Sequence, residues 1–234
     1  MQLTAMTYNI CSGKNLQRER DLAYAASVIR EIGPDFVTLN EVRSRTSDIG
    51  DIDQASELAR LTGYYPVFGK SIDILGGAYG NAVLTRLPLA EWNVIHIPDP
   101  AIRSEGYYEH RTLLRCVLLA GEKPLTVFST HFGLMPDEQE LAVRTAVEAV
   151  SAEANPVLLM GDLNLPPDAP ALAPLMSVLC DSADGAAVPL TFPSDVPEVK
   201  IDYILHSRDV AVHALRSMDT QCSDHRPLIA DVML

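Results

Sequence analysis

The chain is predicted to fold as a single α/β domain, residues 1–234, with strands running in mixed directions. Two observations carry this. Short apolar runs of strand length alternate with amphipathic stretches of helical length along the whole chain. Turn residues such as Gly76-Gly77 and Leu87-Pro88 join several runs closely enough to make antiparallel hairpins. No linker, repeat or low-complexity segment interrupts the pattern.

Taken in order, Leu3 to Ile10 is the first strand. Arg18 to Ile32 carries Leu22, Ala25, Ala26, Ile29 and Ile32 at helical spacing and closes at Gly33-Pro34. Asp35 to Leu39 is a buried strand with Glu41 just past its end, and a short helix from Gln54 to Leu61 stops at Gly63. Strands follow at Tyr64–Gly69, Ala78–Thr85 and Glu91–Ile97. Residues 98–111, with two prolines, a glycine and mixed charge, read as a loop before strands at Leu113–Ala120 and Leu125–Thr130. Asp137 to Ala154 is a helix lined by Leu141, Val143, Ala146, Val147 and Val150, with Asp137 as its expected cap. Val157 to Met160 is a strand apolar on both faces, and Gly161-Asp162-Leu163-Asn164 follows it. In extended backbone, side chains two apart share a face, so Asp162 and Asn164 are expected to converge. A helix broken by Pro170 and Pro174 spans 168–179, and strands at Ile201–His206, Val210–Leu215 and Pro227–Met233 complete the set.

Apolar residues make up 47% of the 234 positions and mean hydropathy is +0.09, which suits a full globular core. The net charge of −13 (18 basic, 31 acidic residues) lacks the basic footprint of a sequence-blind polyanion binder. It suits a protein that gathers acids around a divalent cation, although most surface acids are simply solvated. Four cysteines at 11, 116, 180 and 222 form no C-x-x-C pair, so reduced thiols in a cytoplasm are expected. The N-terminus has neither a basic nor an apolar leader region, and no stretch reaches membrane-spanning length.

Polar residues collect at the strand ends: Asn9, Glu41, His131, Asp162 with Asn164, Asp202, and Asp224 with His225. Each alone has a plain reading as a turn cap, a solvated acid or a satisfied buried histidine. Asp202 is harder to dismiss, because an acid within an apolar strand is costly unless paired. A histidine N–H is a natural partner, and Ser223-Asp224-His225-Arg226-Pro227 supplies one together with an adjacent acid for a metal.

In these segments the chain resembles the endonuclease/exonuclease/phosphatase superfamily with the deoxyribonuclease I-like fold. The matching stretches are Thr7-Tyr8-Asn9-Ile10, Pro34-Asp35 through Leu39-Asn40-Glu41-Val42, and Gly80-Asn81-Ala82-Val83-Leu84. Ser129-Thr130-His131, Gly161-Asp162-Leu163-Asn164, Ile201-Asp202-Tyr203-Ile204 and Ser223 to Pro227 continue the series in family order. Asn40 stands where the family usually has Gln, and Leu163 where Phe is common. The resemblance implies a four-layered α-β-β-α sandwich of two mixed sheets with a site at one end. It implies Mg²⁺ or Mn²⁺ on Glu41, with Asn9 and Asp224 beside it, all oxygen donors with no cysteine in any motif. Asp162 would position and deprotonate the attacking water, with Asn164 helping to hold it. His225, oriented by Asp202, and His131 would contact the phosphate, and Asn81 and Arg111 would assist substrate binding.

Within the family, the inositol-phosphate phosphatase motif is missing at 198–203, and the 44–57 loop holds Asp48, Asp51, Asp53 and Glu57 against one arginine, unlike basic DNA-gripping loops. The chain looks most like the small bacterial metal-dependent hydrolases. The expectation is a divalent-metal phosphodiesterase acting on a small or lipid diester, cytoplasmic, with a monomer favoured. A nuclease acting on DNA or RNA is the alternative, and a non-catalytic binding module of the same fold is the third reading. Arg103, Tyr107, Tyr108, His110 and Arg111 in the 98–111 loop are enough to grip one phosphate and stack on one flat group, or the tyrosines pack under the loop.

Overall fold

Among the residues described by the computed structural model (1–103, 105–183 and 188–234), the period-two apolar runs form twelve strands in two sheets. In chain order these are β1 (Gln2–Asn9), β2 (Phe36–Ser44), β3 (Tyr65–Ile74), β4 (Gly77–Thr85), β5 (Leu89–His96) and β6 (Thr112–Ala120). They continue as β7 (Lys123–His131), β8 (Val157–Asp162), β9 (Cys180–Asp181), β10 (Asp202–His206), β11 (Ala211–Ser217) and β12 (Leu228–Met233). One sheet has the order β11-β12-β1-β2-β4-β3, the other β5-β6-β7-β8-β10-β9. β1 with β2 and β7 with β8 are parallel, and the remaining neighbours are antiparallel.

Helices α1 (Leu22–Ile32) and α2 (Gln54–Thr62) cover the outer face of the first sheet, and α3 (Pro136–Ser151) and α4 (Ala173–Val178) that of the second. The result is the four-layered sandwich expected. α1 starts four residues after a left-handed Arg18 and is capped by Asp21, whose side chain accepts from Tyr24 N–H at 2.9 Å; Arg18–Arg20 therefore lie outside it. Asp137 is not the cap of α3. Pro136 is its first residue, Met135 occupies the cap position, and Glu138 reaches back to Met135 N–H at 3.3 Å. Asp137 instead accepts from Tyr108 O–H at 3.0 Å.

The phase of the strands explains where a site can form. Leu3 and Ala5 of β1, Phe36 of β2, Val83 of β4, Leu125 and Val127 of β7, Leu158 and Met160 of β8 and Ile204 of β10 fill the space between the sheets. Their neighbours, such as Met6, Val37, Phe128, Leu159 and Tyr203, face the helices. Continued two residues at a time, the inward phase carries Asn9, Asn40, Asn81, His131, Asp162 and Asp202 into the same layer at one end. The apolar core therefore gives way to polar side chains at a single rim. All four cysteines are free thiols, and among the described residues no helix is long and apolar enough to cross a membrane.

Candidate active site

Strand register sets the base of the site. His131 of β7 is directly opposite Asp162 of β8, and Asp162 is opposite Asp202 of β10. Gly161 makes this row possible. Its φ is +145°, and a Cβ there would overlap the Thr130 carbonyl oxygen, the same oxygen that accepts from Asn40 Nδ2 at 2.8 Å. Gly161→Ala is expected to cost about 2–4 kcal/mol of stability through strain and forced displacement, read as a lower unfolding midpoint in urea. Wild-type stability would show that the backbone can yield there.

Glu41 reaches the site by a β-bulge. Pairing of β2 with β4 shifts between Leu39 and Val42, and Glu41 takes φ +58°. It lies within β2, not beyond the strand's end as expected, and the extra residue re-aims its side chain into the cavity. Asn40, just before it, is fully buried and stitches the two sheets together. Its amide donates to Asn81 Oδ1 (2.8 Å) and the Thr130 carbonyl, and its oxygen accepts from Asp162 N–H (3.0 Å). The shorter Asn thus still makes three bonds across the site. Asn81 in turn donates to the Thr112 carbonyl at 3.2 Å; it is buried behind the cavity, where it positions Asn40.

Asp162 Oδ2 is the focus of the arrangement. It accepts from Asn9 Nδ2 at 3.1 Å and lies 3.5 Å from His131 Nε2 and 3.6 Å from His225 Nε2. Oδ1 accepts from Asn164 N–H at 2.9 Å. That bond closes a side-chain-to-backbone turn, with Asn164 at φ +50°, and the Asn164 side chain donates to the Phe132 carbonyl. Asp162 and Asn164 do line one cavity, but through this turn and not through the extended pleat expected.

Two histidines flank the carboxylate, their pKa values pushed in opposite directions. His225 Nδ1 is 2.8 Å from Asp202 Oδ2, and Phe192 packs on its ring. Burial opposes its charge, but the Asp202 and Asp162 carboxylates outweigh burial and push its pKa up to about 10. His131 Nδ1 takes a bond from Arg111 Nη1 at 3.1 Å, which leaves the proton on Nε2, facing Asp162. Burial, Arg111 and His225 all hold His131 well below the usual imidazole range, so it is neutral. Burial raises the pKa of Asp162 above the carboxylate range, against the pull of His225.

Asn9 Oδ1 accepts from Cys11 N–H at 3.0 Å, so its amide nitrogen faces Glu41 Oε1 (3.2 Å) and Asp162. As arranged, Asn9 bridges two carboxylates instead of offering them an oxygen neighbour. Ser223 Oγ donates to the Asn9 carbonyl at 2.7 Å and to Asp224 Oδ1 at 3.2 Å. Glu41 is raised by burial, lowered by Asn9 and raised again by Asp224. Like-charged oxygen donors crowded at one wall fit a hard dication. Asp162, Asp202 and His225 also offer donor atoms within 4.8 Å of one another. The mutual bond of Asp202 and His225 already satisfies that trio as an acid–imidazole pair.

The cavity above these groups measures about 410 Å³ and is lined also by Cys11, Arg18, Tyr107, Glu109, Leu134 and Phe192. Cys11 Sγ lies 3.5 Å from Asp224 Oδ2, although no motif contains a cysteine, and Arg18 Nη1 is 3.9 Å from the same oxygen. Neither shows a local sequence signal, since both meet Asp224 from more than 200 residues away. Arg111 lines the cavity, with its charge held by Glu109 at 2.7 Å. Of the other loop residues expected to grip phosphate, Arg103 pairs with Asp99 and stacks on Tyr108, and His110 bonds Asp99. These three lie outside the cavity lining.

A family model described as the endonuclease/exonuclease/phosphatase family matches residues 6–225. No curated protein sequence matches the chain. Among solved structures, an endonuclease/exonuclease/phosphatase from Beutenbergia cavernae is 24% identical (TM-score 0.76), with 100% of this chain and 72% of that one covered. A family protein from Leptotrichia buccalis is 18% identical with TM-score 0.82, covering 99% and 100%. The mannosyl-6-phosphatase of Bacteroides thetaiotaomicron is 18% identical with TM-score 0.75, covering 99% and 100%.

Proposed function

The chain belongs to the endonuclease/exonuclease/phosphatase family, whose members are hydrolases of phosphate esters, and on that premise we propose that it is a divalent-metal-dependent phosphodiesterase for small or lipid diesters. The observation that carries the reading is the convergence of Asn9, His131 and His225 on one buried oxygen of Asp162. Asp162 is the base: it orients a water and takes its proton as the water attacks phosphorus in line. His225, kept cationic by Asp202, and the neutral His131, through Nε2–H, donate to the phosphoryl oxygens as their charge grows. Asn164 and Arg111 flank the reacting group. Glu41 and Asp224 are the residues that would hold Mg²⁺ or Mn²⁺, with Asn9 orienting Glu41. A bound dication supplies Lewis-acid neutralisation of charge on the phosphate oxygens.

The small or lipid substrate rests on three features. The cavity has the volume of a ligand pocket. Of the cations that line it, Arg43 is held by Asp48 and Arg111 by Glu109, and Arg18 lies 3.9 Å from Asp224. Exposed Tyr107 and Leu134 give the rim an apolar character.

The test is a panel of bis-p-nitrophenyl phosphate, p-nitrophenyl phosphate, phospholipid diesters, abasic duplex DNA and single-stranded DNA, each with Mg²⁺, Mn²⁺ or EDTA. Hydrolysis of the small or lipid diesters should exceed that of the monoester and of DNA. It should stop in EDTA and return with either ion, and Glu41→Gln should demand more metal for half-maximal rate. Preference for the monoester overturns the diesterase reading, preferred cleavage of DNA restores a nuclease, and full activity in chelator removes the metal.

A further inference from the structure

Outside the cavity, His96, Asp99 and His110 form a chain of contacts at the neck of the 97–110 segment. His96 is the last residue of β5, His110 precedes Arg111, and Ile97 N–H donates to the Arg111 carbonyl at 3.0 Å. The segment between them brings Tyr107 and Glu109 to the cavity wall. His110 Nδ1 lies 2.8 Å from Asp99 Oδ1. A carboxylate at this distance accepts, so a proton sits on Nδ1, and in the neutral ring His110 Nε2 presents a lone pair. That lone pair faces His96 Nδ1 at 2.9 Å, with the two rings stacked at 29°.

Two metal–nitrogen bonds of about 2.0–2.1 Å meeting at a right angle place their nitrogens about 2.9 Å apart. A carboxylate behind a ligating imidazole is the usual device for fixing its tautomer. We propose that His96 Nδ1 and His110 Nε2 form a bidentate site for a divalent transition cation of the Ni²⁺ or Cu²⁺ type, oriented by Asp99, which staples the neck of the segment that walls the cavity. The plain alternative, a neutral pair in which His96 Nδ1 donates to His110 Nε2, differs by one tautomer of His96. His96 is exposed, and the His110 side chain is 27% exposed, so an ion can enter and water can complete its coordination. Imidazole donors suit these ions, whereas the oxygen donors at Glu41 and Asp224 suit Mg²⁺, so excess Mg²⁺ separates the two sites experimentally.

The full chain in excess Mg²⁺ is titrated with Ni²⁺ by calorimetry, and Cu²⁺ bound under the same conditions is examined by electron paramagnetic resonance. One Ni²⁺ per chain should bind saturably. Affinity should fall at least tenfold in His96→Gln and in His110→Gln, and about 10-fold or more in Asp99→Asn. The Cu²⁺ spectrum should show two coupled nitrogens in wild type and at most one in either histidine variant. Circular dichroism checks that the variants fold. No uptake by the wild type, or uptake unchanged in both histidine variants, overturns the proposal.

Discussion

Asp162→Asn is expected to lower kcat by about 10²–10⁴-fold, the scale of a lost general base. The substitution keeps volume and shape but turns an amide NH2 toward Asn9, His131 and His225 in place of an accepting oxygen. The amide oxygen can still accept from Asn164 N–H, where Oδ1 accepts now at 2.9 Å. What disappears is the negative charge and the site that takes the proton. Burial raises the Asp162 pKa above the ordinary carboxylate range. A base must be deprotonated to act, so wild-type kcat should rise with pH through a midpoint higher than an exposed aspartate would give. At the alkaline end, loss of the His225 proton removes a donor, and its raised pKa puts that fall above the usual imidazole range. Steady-state rates across pH at saturating Mg²⁺ should show both limbs in wild type and lose the acid limb in Asp162→Asn. Equal kcat in the two proteins would falsify the assignment of Asp162 as base.

The rim that holds Asp162 could be read from the chain because strand phase carries over. Once Leu158 and Met160 face inward, Asp162 must too, and the same holds for Ile204 and Asp202. Glu41 was legible as a residue but not as geometry, since a bulge between Leu39 and Val42 interrupts the period from which direction is judged. The Asp162–Asn164 pair converges through a turn closed by the aspartate itself, which the extended pattern does not foresee. Charge pairing was the least legible feature. Asp48 counts as part of an acidic loop until Arg20 and Arg43 are found on it. Likewise Arg103 and His110 count as phosphate grips until Asp99 holds both. Such partners are set by tertiary neighbours, and the local sequence carries no record of them.

The Asp202–His225 pair is expected to behave as one unit in rate and to show opposite signs in stability. His225→Ala should lower kcat by at least about 10²-fold, the scale of a lost charge stabiliser. Asp202→Asn should act through the imidazole. Without the carboxylate 2.8 Å from Nδ1, the His225 pKa falls from about 10, so the alkaline limb of kcat should move to lower pH. Once His225 is gone, Asp202 has nothing left to orient. The double variant should therefore be about as slow as His225→Ala alone, far from the product of the two losses. Stability should run the other way. Asp202 is fully buried, its Oδ1 has no hydrogen-bond partner, and Asp162 lies directly across the strand pair. His225→Ala strands that carboxylate, and breaking a buried pair costs about 3–5 kcal/mol. Adding Asp202→Asn removes the stranded charge, so the double variant should unfold at a higher midpoint than His225→Ala. Chemical denaturation and pH–rate profiles of the four proteins complete both cycles. Multiplicative rate losses, or a double variant less stable than His225→Ala, would mean that the two residues do not act as a pair.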